Sequence, residues 1–150
     1  MTGADVVAQA RGWVGTPWCH GAACRGAGAD CLGLVRGLWR EIRPDEVPSV
    51  PPYPPDWAEV GPPDRLVAGL ARSLVCCAGR TPAPGDVLVF RLSARGPAKH
   101  LGVLTEAGPQ ARFVHACSGH GVVEAALSAP WRRRIVARFA FPGISTPHAT

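Results

Sequence analysis

Cys31 occupies the position in this sequence that best suits a nucleophile. It directly follows Asp30, a residue type that caps helices, and it opens an apolar pattern of helical period over 31–42. In the first turn of a helix, free backbone N–H groups and the positive end of the helix dipole stabilise a thiolate. We therefore predict a lowered pKa for the Cys31 thiol and a nucleophile near neutral pH; the alternative is a buried structural cysteine.

A thiol nucleophile needs a base, and two histidines fall on adjacent predicted strands. If Thr105 pairs with Gln110 across the turn that joins these strands, His100 lies directly opposite His115. Opposed residues of an antiparallel pair point to the same face of the sheet, so the two imidazoles meet. This geometry predicts that His100 is the base for Cys31 and that His115 orients it, as in a Cys-His-X triad.

Surface exposure and metal binding are alternative roles for these residue types. Histidines on strands are often surface residues, and with cysteines they also form metal sites. Cys19, His20, Cys24 and Cys31 are close in the sequence, but they lack the paired C-x-x-C spacing of structural zinc sites. We expect no bound metal and no other cofactor.

Hydrophobic periodicity predicts the elements that position these residues. Helices are predicted at 4–14, 31–42 and 64–78, and strands at 87–92, 99–105, 111–117, 121–126 and 134–141. A glycine-rich loop over 15–30 precedes Cys31. Because the helices come first and the strands follow, we predict an α+β domain, with N-terminal helices packed on an antiparallel sheet of about five strands.

The segment 44–63 contains eight prolines, which excludes a helix or a central strand there. We predict an extended surface loop that is anchored by Tyr53 and Trp57. We also predict one domain over 1–142, which includes this loop, and a flexible tail over 143–150.

The composition excludes several classes of protein. With 47% hydrophobic and 18% charged residues, the 150-residue chain is not intrinsically disordered. The net charge of +5 is scattered, apart from a run of arginines at 132–134, and no basic stripe carries interleaved aromatics. We therefore expect no nucleic-acid partner. No apolar run approaches the ~20 residues of a membrane span.

The N-terminus and the six cysteines indicate the cellular compartment in which the chain is made. Residues 1–11 have no basic region followed by an apolar stretch, so no secretory signal is visible. We therefore expect a chain that is made in the cytoplasm with its thiols reduced. Cys76 and Cys77 fall within the third predicted helix, where we expect both to pack as small apolar side chains.

Five segments, taken in order, resemble the NlpC-type cell-wall cysteine peptidases, the NlpC/p60 family, whose core is papain-like. The matching segments are ARGWVGTPW, GADCLGLVRGLWRE, PAPGDVLVF, KHLGVLT and FVHA, which span about residues 8–117. A single segment such as PGDV is a weak signal, whereas the ordered set is specific. The segment GADCLGLVRGLWRE is most similar to the phage-type branch, in which this domain occurs in tail modules and gene transfer agents.

The resemblance implies a peptidoglycan hydrolase. It implies that Cys31 is the nucleophile, His100 the general base and His115 the orienting residue of a cysteine endopeptidase. The backbone N–H of Cys31 would contribute to an oxyanion hole. Hydrolysis would pass through a thioacyl-enzyme, at the bond that joins γ-D-glutamate to a diamino acid such as meso-diaminopimelate.

The resemblance also implies substrate contacts at Asp30, Trp18 and His20. Asp30 would recognise the free amino end of a peptidoglycan stem peptide, and His20 would line the cleft. Many members carry Tyr where this chain has Trp18, and many have Ser where this chain has Leu32. An indole N–H only donates hydrogen bonds, so the contact at Trp18 differs from that of a tyrosine hydroxyl.

The phage-type resemblance implies a mode of delivery. Partners would be the peptidoglycan stem peptide and the hub proteins of a phage-like tail or baseplate. The chain would be assembled into a tail particle and act in the periplasm or cell wall of the target cell. The alternative is a mainly structural component of the tail tip or hub, with weak or no peptidase activity.

Overall fold

The first two helices each begin at a residue whose side chain caps the helix. α1 (Gly3–Gly12) starts with a capping box, in which the side chains of Thr2 and Asp5 bond each other's backbone N–H groups. α2 (Cys31–Ile42) has the predicted bounds, because Asp30 caps it and its apolar residues repeat at helical spacing. The computed structural model describes residues 1–44, 48, 50–57, 59 and 61–145.

The loop between these helices contains a small antiparallel sheet that the sequence does not predict. Its strands are β1 (Ala23–Cys24) and β2 (Gly28–Ala29). Gly33 in the first turn of α2 lets this loop lie close to the helix, because a Cβ there would sit 1.7 Å from the carbonyl oxygen of Ala22. The close approach holds the loop against the start of the helix.

Six further strands form one antiparallel sheet in the order β3-β8-β4-β5-β6-β7. They are β3 (Val75–Cys76), β4 (Val87–Arg91), β5 (Ala98–Glu106), β6 (Arg112–Cys117), β7 (Gly121–Ala126) and β8 (Ile135–Ala140). The predicted α+β fold, with N-terminal helices on an antiparallel sheet, is confirmed. The sheet has six strands because β3 adds to the five predicted ones.

The third predicted helix, 64–78, is too long. α3 (Arg65–Ala71) is followed by β3, where Val75 pairs with β8. The β-branched side chain of Val75 favours a strand, and β8 supplies the backbone partners that a helix would have satisfied internally. Of the two cysteines expected to pack in this helix, Cys77 is buried but Cys76 is exposed. A further short helix, α4 (Ala129–Arg133), is also not predicted.

The main sheet has two apolar faces. Leu101 and Val103 of β5 belong to the core that packs against the helices, together with Leu34 of α2. Leu104 of the same strand belongs to a smaller cluster against which Trp131 of α4 packs. Since side chains alternate along a strand, His100 shares the face of Leu104. The chemistry-bearing histidines therefore lie on the face that α4 covers.

The predicted proline-rich loop and tail are described in part. Tyr53 and Trp57 are both half-buried, and Trp57 packs against the main core, as the anchor prediction requires. In the tail, the Ser145 N–H donates to the Met1 carbonyl at 3.0 Å. Residues 45–47, 49, 58 and 60 of the loop and 146–150 of the tail lie outside the described residues. Within the described residues, every helix is too short or too polar to cross a lipid bilayer.

Candidate active site

Asp30 caps the start of α2, and hydrogen bonds hold its carboxylate in place. It is only 5% exposed, and both of its carboxylate oxygens accept hydrogen bonds. Oδ1 accepts from the backbone N–H of Gly33 at 2.7 Å, which confirms the predicted N-cap. Oδ2 accepts from the N–H of Gly21 at 2.7 Å and from the hydroxyl of Tyr53 at 2.6 Å. The carboxylate thus ties the glycine-rich loop and the proline-rich loop to the residue before Cys31.

The Cys31 sulfur lies against strand β5. The residue is half-buried, and its Sγ is 3.9 Å from the carbonyl oxygen of Lys99. Burial of the sulfur, and next the Asp30 carboxylate, raise the pKa of the Cys31 thiol to about 12. The N–H groups of Leu101, Leu32 and Cys31 itself oppose this rise without reversing it. The predicted lowering of the pKa is therefore wrong, because desolvation outweighs the favourable start of the helix.

His100 and His115 do meet, but in a different register from the predicted one. Gly102, not His100, pairs with His115, so the strands are offset by two residues from the Thr105–Gln110 register. The turn is longer than predicted, because Glu106 pairs with Arg112, three residues from the predicted register; the bulge between Leu104 and Glu106 then takes back one residue. Because side chains alternate with a period of two, a two-residue offset keeps both imidazoles on one face. They meet diagonally, with Nε2 of His100 2.8 Å from Nδ1 of His115.

Gly102 explains how the rings come this close. The predicted register places Phe113 opposite it, whereas in the structure Phe113 pairs with Leu104. The Phe113 ring nevertheless covers Gly102, since a Cβ at Gly102 would lie 2.7 Å from a ring carbon. The absent side chain gives room to Phe113, on which the ring of His115 stacks at a centroid distance of 4.1 Å.

Aromatic side chains enclose the two imidazoles. Phe90, Phe113 and Trp131 pack around them, and the Trp131 ring centroid lies 5.6 Å from that of His100 and 5.2 Å from that of His115. Burial, and next the neighbouring His115, lower the pKa of His100 to about 3. Burial lowers the pKa of His115 to about 4. Both rings are therefore neutral at pH 7, with a lone pair available on each.

Trp131 and Cys117 are parts of this cluster that were not predicted from the sequence. Trp131 lies on the unpredicted helix α4, for which Ser128 followed by Pro130 was an available start signal. The sulfur of Cys117 lies 3.3 Å from Nδ1 and 3.5 Å from Nε2 of His115. Its position two residues after His115 on the same strand places it on the same face. Burial raises the pKa of the Cys117 thiol.

His20 and Tyr53 complete the surroundings of Asp30. The Nε2–H of His20 donates to the carbonyl oxygen of Tyr53 at 2.8 Å, and its Nδ1 is 3.8 Å from Asp30 Oδ2. The rings of His20 and Tyr53 meet edge to face at 5.1 Å. Burial, and next the hydrogen bond to Asp30, raise the pKa of the Tyr53 hydroxyl. Tyr53 was predicted only as an anchor of the proline-rich loop. No local sequence pattern links it to Asp30, which lies much earlier in the chain.

Trp18 stands apart from this cluster. It is 38% exposed, and its backbone forms an isolated parallel bridge with Ala29. Its indole makes no ring contact with any aromatic side chain of the described part of the chain. The structure therefore brings Asp30 and His20 together but leaves Trp18 on the surface. Among the described side chains, no group of three or more His, Cys, Asp or Glu residues is arranged to hold a metal ion.

This arrangement of helices on an antiparallel sheet is the α+β, papain-like fold of NlpC/p60 domains. The NlpC/p60 domain of the peptidoglycan hydrolase SagA aligns with a TM-score of 0.59 and 18% identity, over 94% of this chain and 100% of that one. An NlpC/P60 family protein from Bacillus cereus aligns with a TM-score of 0.63 and 16% identity. That alignment covers 92% of this chain and 39% of the Bacillus protein.

A third solved structure contains a reaction product. It is Ly7917 with the hydrolyzing product of MDP, which aligns with a TM-score of 0.60 and 16% identity over 95% of this chain and 64% of that one. This chain thus spans the whole SagA domain but less than two thirds of the other two proteins. No protein-family model matches the sequence, and neither does any curated protein.

Proposed function

We propose that residues 1–142 form a single cysteine endopeptidase domain of the NlpC/p60 family that hydrolyses the stem peptides of peptidoglycan. One observation carries the proposal: the Cys31 sulfur, at the start of a capped helix, lies 3.9 Å from the carbonyl of Lys99, the residue before His100. His100 is in turn paired with His115 at 2.8 Å. The thiol therefore contacts the backbone of β5, the strand that carries His100, within a fold that peptidoglycan hydrolase domains share. We take His100 as the base and His115 as its orienting group.

The pairing of the two imidazoles decides which nitrogen acts as the base. If Nε2–H of His100 donates to Nδ1 of His115, then Nδ1 of His100 keeps its lone pair and can accept the proton of Cys31. In this arrangement His115 is neutral and carries its proton on Nε2. The lowered pKa values of both histidines favour this neutral state. His115 then stabilises the imidazolium that forms when His100 takes the proton.

The reaction proceeds by acyl transfer to sulfur. As His100 takes the thiol proton, Cys31 attacks the carbonyl carbon and a C–S bond forms, with the oxyanion facing the backbone N–H of Cys31. His100 then gives the proton to the leaving amine, and the C–N bond breaks. Water, deprotonated by His100, attacks the thioester and releases the acid and the thiol. Because the thiol pKa is raised, the resting thiol is protonated, and His100 must take its proton for attack to occur.

We assign the substrate contacts to the start of α2. The Asp30 carboxylate binds the free amino end of the stem peptide, with His20 beside it and the exposed indole of Trp18 on the rim. The bond cleaved is that between γ-D-glutamate and a diamino acid. A buried carboxylate that precedes the nucleophile supports this orientation, because a cationic amine is its natural partner.

Digestion of purified sacculi tests the proposal directly. Wild-type protein should release muropeptides whose masses, read by mass spectrometry, locate the cut at the γ-D-glutamyl bond. Cys31→Ala should release none, and Cys76→Ala, which removes an exposed thiol of β3, should behave as wild type. Equal release by the wild type and Cys31→Ala would contradict the proposal.

We further propose that a phage-like tail carries this domain to the wall. The segment GADCLGLVRGLWRE supports this, since it resembles the phage-type branch. Particles that carry Cys31→Ala should assemble normally but enter cells poorly. If these particles infect as well as the wild type does, the chain is instead a mainly structural part of the tail tip or hub.

A further inference from the structure

Cys117, the last residue of β6, takes no part in the proposed reaction, although its sulfur contacts the imidazole pair. Its Sγ lies 3.3 Å from Nδ1 and 3.5 Å from Nε2 of His115. A sulfur in the plane of the ring at these two distances would overlap a carbon atom of the ring. The sulfur therefore lies over a face of the imidazole, where it makes a packing contact with the ring.

Phe113 lies over the other face of the same imidazole. Residues 113, 115 and 117 alternate along β6, so their side chains form a row on one face of the sheet. The Phe113 ring is stacked on His115, with 4.1 Å between the centroids and 25° between the planes. Because Phe113 precedes His115 along the strand and Cys117 follows it, the imidazole is held between the phenyl ring and the sulfur.

The strands on either side of β6 leave the end of this row to Cys117. On β7, the residue that pairs with Cys117 is Gly121, which carries no side chain. On β5, Gly102 pairs with His115. Continuing this register by two residues places His100 opposite Cys117, on the same face of the sheet. The side chain at position 117 therefore adjoins both imidazoles, His115 by contact and His100 by register.

The plane of the His115 ring decides whether the two imidazoles can bond each other. Nδ1 of His115 is 2.8 Å from Nε2 of His100, and the two ring planes are 81° apart. The lone pair of Nδ1 lies in the plane of its ring, and a hydrogen bond weakens steeply when donor and acceptor are misaligned. Rotation of His115 about its Cβ–Cγ bond would therefore break the bond, and packing on both faces of the ring opposes this rotation.

We propose that Cys117 is a positioning residue of this site. With Phe113 it holds the His115 imidazole in the plane in which Nδ1 accepts the hydrogen bond of His100. This role rests on the proposed function for its use in catalysis, but the geometry of the pair can be measured without cleavage. Burial raises the pKa of the Cys117 thiol, so the side chain on the ring is neutral and the nucleophile remains Cys31.

Three substitutions at position 117 test this role by kinetics. Cys117→Ala removes the contact and should lower kcat about 10-fold with little change in KM, because it misplaces the histidine pair and not the substrate. Cys117→Val fills the same space with an apolar side chain and should recover most of the loss. Cys117→Ser is smaller and polar, and it should recover less. Cys76→Ala, which removes an exposed thiol of β3, is the control and should leave kcat unchanged.

Nitrogen-15 NMR of the histidine rings measures the pair directly, in a Cys31→Ala background that needs no activity. Nδ1 of His115 should be unprotonated and Nε2 protonated, and the ring should titrate well below the ordinary 6.5. Adding Cys117→Ala should mix the two tautomers and raise the titration midpoint towards 6.5, because water then reaches the ring. Adding Cys117→Val should preserve both properties.

The surroundings of His115 make this titration interpretable. Among the described residues packed against it, β5 contributes His100, α4 contributes the Trp131 ring, and β7 contributes Val123 as its register partner. His100 is thus the other titratable group to follow, besides the thiol that the variants remove. Its own signals should be recorded in the same spectra.

The two measurements distinguish the role of Cys117 from the proposed function. If the tautomer and the midpoint change in Cys117→Ala while the wild type cleaves no stem peptide, Cys117 positions the pair and the proposed function fails. An unchanged tautomer and midpoint in a folded Cys117→Ala protein overturns the positioning role, whatever the activity. A loss of kcat in Cys117→Ala that Cys117→Val does not relieve also overturns it.

Discussion

The two sides of the site are built in opposite ways. The sheet side consists of two imidazoles that bond each other and are enclosed by aromatic rings, whereas the helix side consists of a buried carboxylate with its hydrogen-bond donors next to the thiol. The sheet side comprises His100, His115, Phe90, Phe113 and Trp131, and the helix side comprises Asp30, Cys31 and Tyr53. In the mechanism that we propose, the sheet side sets the protonation of the base and the helix side contacts the substrate.

The two sides also differ in whether a charged group adds to the effect of burial. On the sheet side burial is the first cause of both lowered histidine pKa values. On the helix side burial is again the first cause of the raised pKa values of Cys31 and Tyr53, and the Asp30 carboxylate adds to both. Changes to aromatic packing should therefore act on the histidines, and changes to Asp30 should act on the thiol and the phenol.

Removing the partner of the base should have the largest effect. His115→Ala leaves Nε2–H of His100 without its acceptor, and we expect kcat to fall by about 10²- to 10⁴-fold. His115→Asn supplies an amide oxygen as acceptor and should recover part of the loss. His120→Ala, which alters an exposed histidine, should leave kcat unchanged. An unchanged kcat in a folded His115→Ala protein would remove His115 from the mechanism.

The Cys31 thiol should show its raised pKa in its rate of alkylation. Because its pKa is about 12, the rate of reaction with iodoacetamide should still rise with pH above 9, where an ordinary thiol has levelled off. Mass spectrometry of the peptide that contains Cys31 measures this rate, with a free cysteine derivative as reference. Asp30→Asn keeps the cap but removes the charge, so it should speed alkylation at fixed pH. A plateau near pH 8.5 would contradict the account of the helix side.

Acid should destabilise the protein through its buried histidines. Their folded pKa values, about 3 and about 4, lie below the ordinary 6.5, so the unfolded chain binds more protons as the pH falls. Their contribution to stability is complete above pH 6.5 and is lost progressively below it, down to the folded pKa values. Urea denaturation should give a midpoint that falls between pH 7 and pH 5. His115→Asn should show a shallower fall, and an identical slope would count against the burial of His115.

The smallest effect concerns Tyr53, the one tyrosine of the chain. Its ultraviolet absorbance should titrate above the ordinary value of about 10, because burial and the bond to Asp30 disfavour the phenolate. Asp30→Asn should bring the midpoint down without restoring the ordinary value, since burial remains. A wild-type midpoint at the ordinary value would show that the hydroxyl is solvated and that the proline-rich loop does not reach Asp30.

The helix side could be predicted from the sequence only where the information is local. The bounds of α2 agree with prediction, because the Asp30 cap and the apolar spacing lie within the segment itself. The raised pKa of Cys31 could not be predicted, since it depends on contact with β5, far along the chain. The contact of Tyr53 with Asp30 could not be predicted for the same reason. A proline-rich sequence does not indicate which distant residue it will contact.

On the sheet side, prediction from the sequence was limited by the register between strands. Alternation along β5 and β6, together with the register predicted from the turn, placed His100 and His115 on one face. Their register was wrong by two residues, because the turn is longer than predicted by three residues of register and the bulge between Leu104 and Glu106 takes back only one. The even offset preserved the face, so the histidine pair was predicted despite the error. A shift of one residue would have separated the rings.

Trapping the acyl-enzyme tests the central claim most directly. A stem peptide mixed with the protein, quenched in acid within the first turnover and mapped by mass spectrometry, should give an acyl group on Cys31. The adduct should carry the mass of the glutamyl side of the substrate and should be much reduced in His100→Ala. Turnover without an adduct, or an adduct on Cys117 instead, would contradict the mechanism.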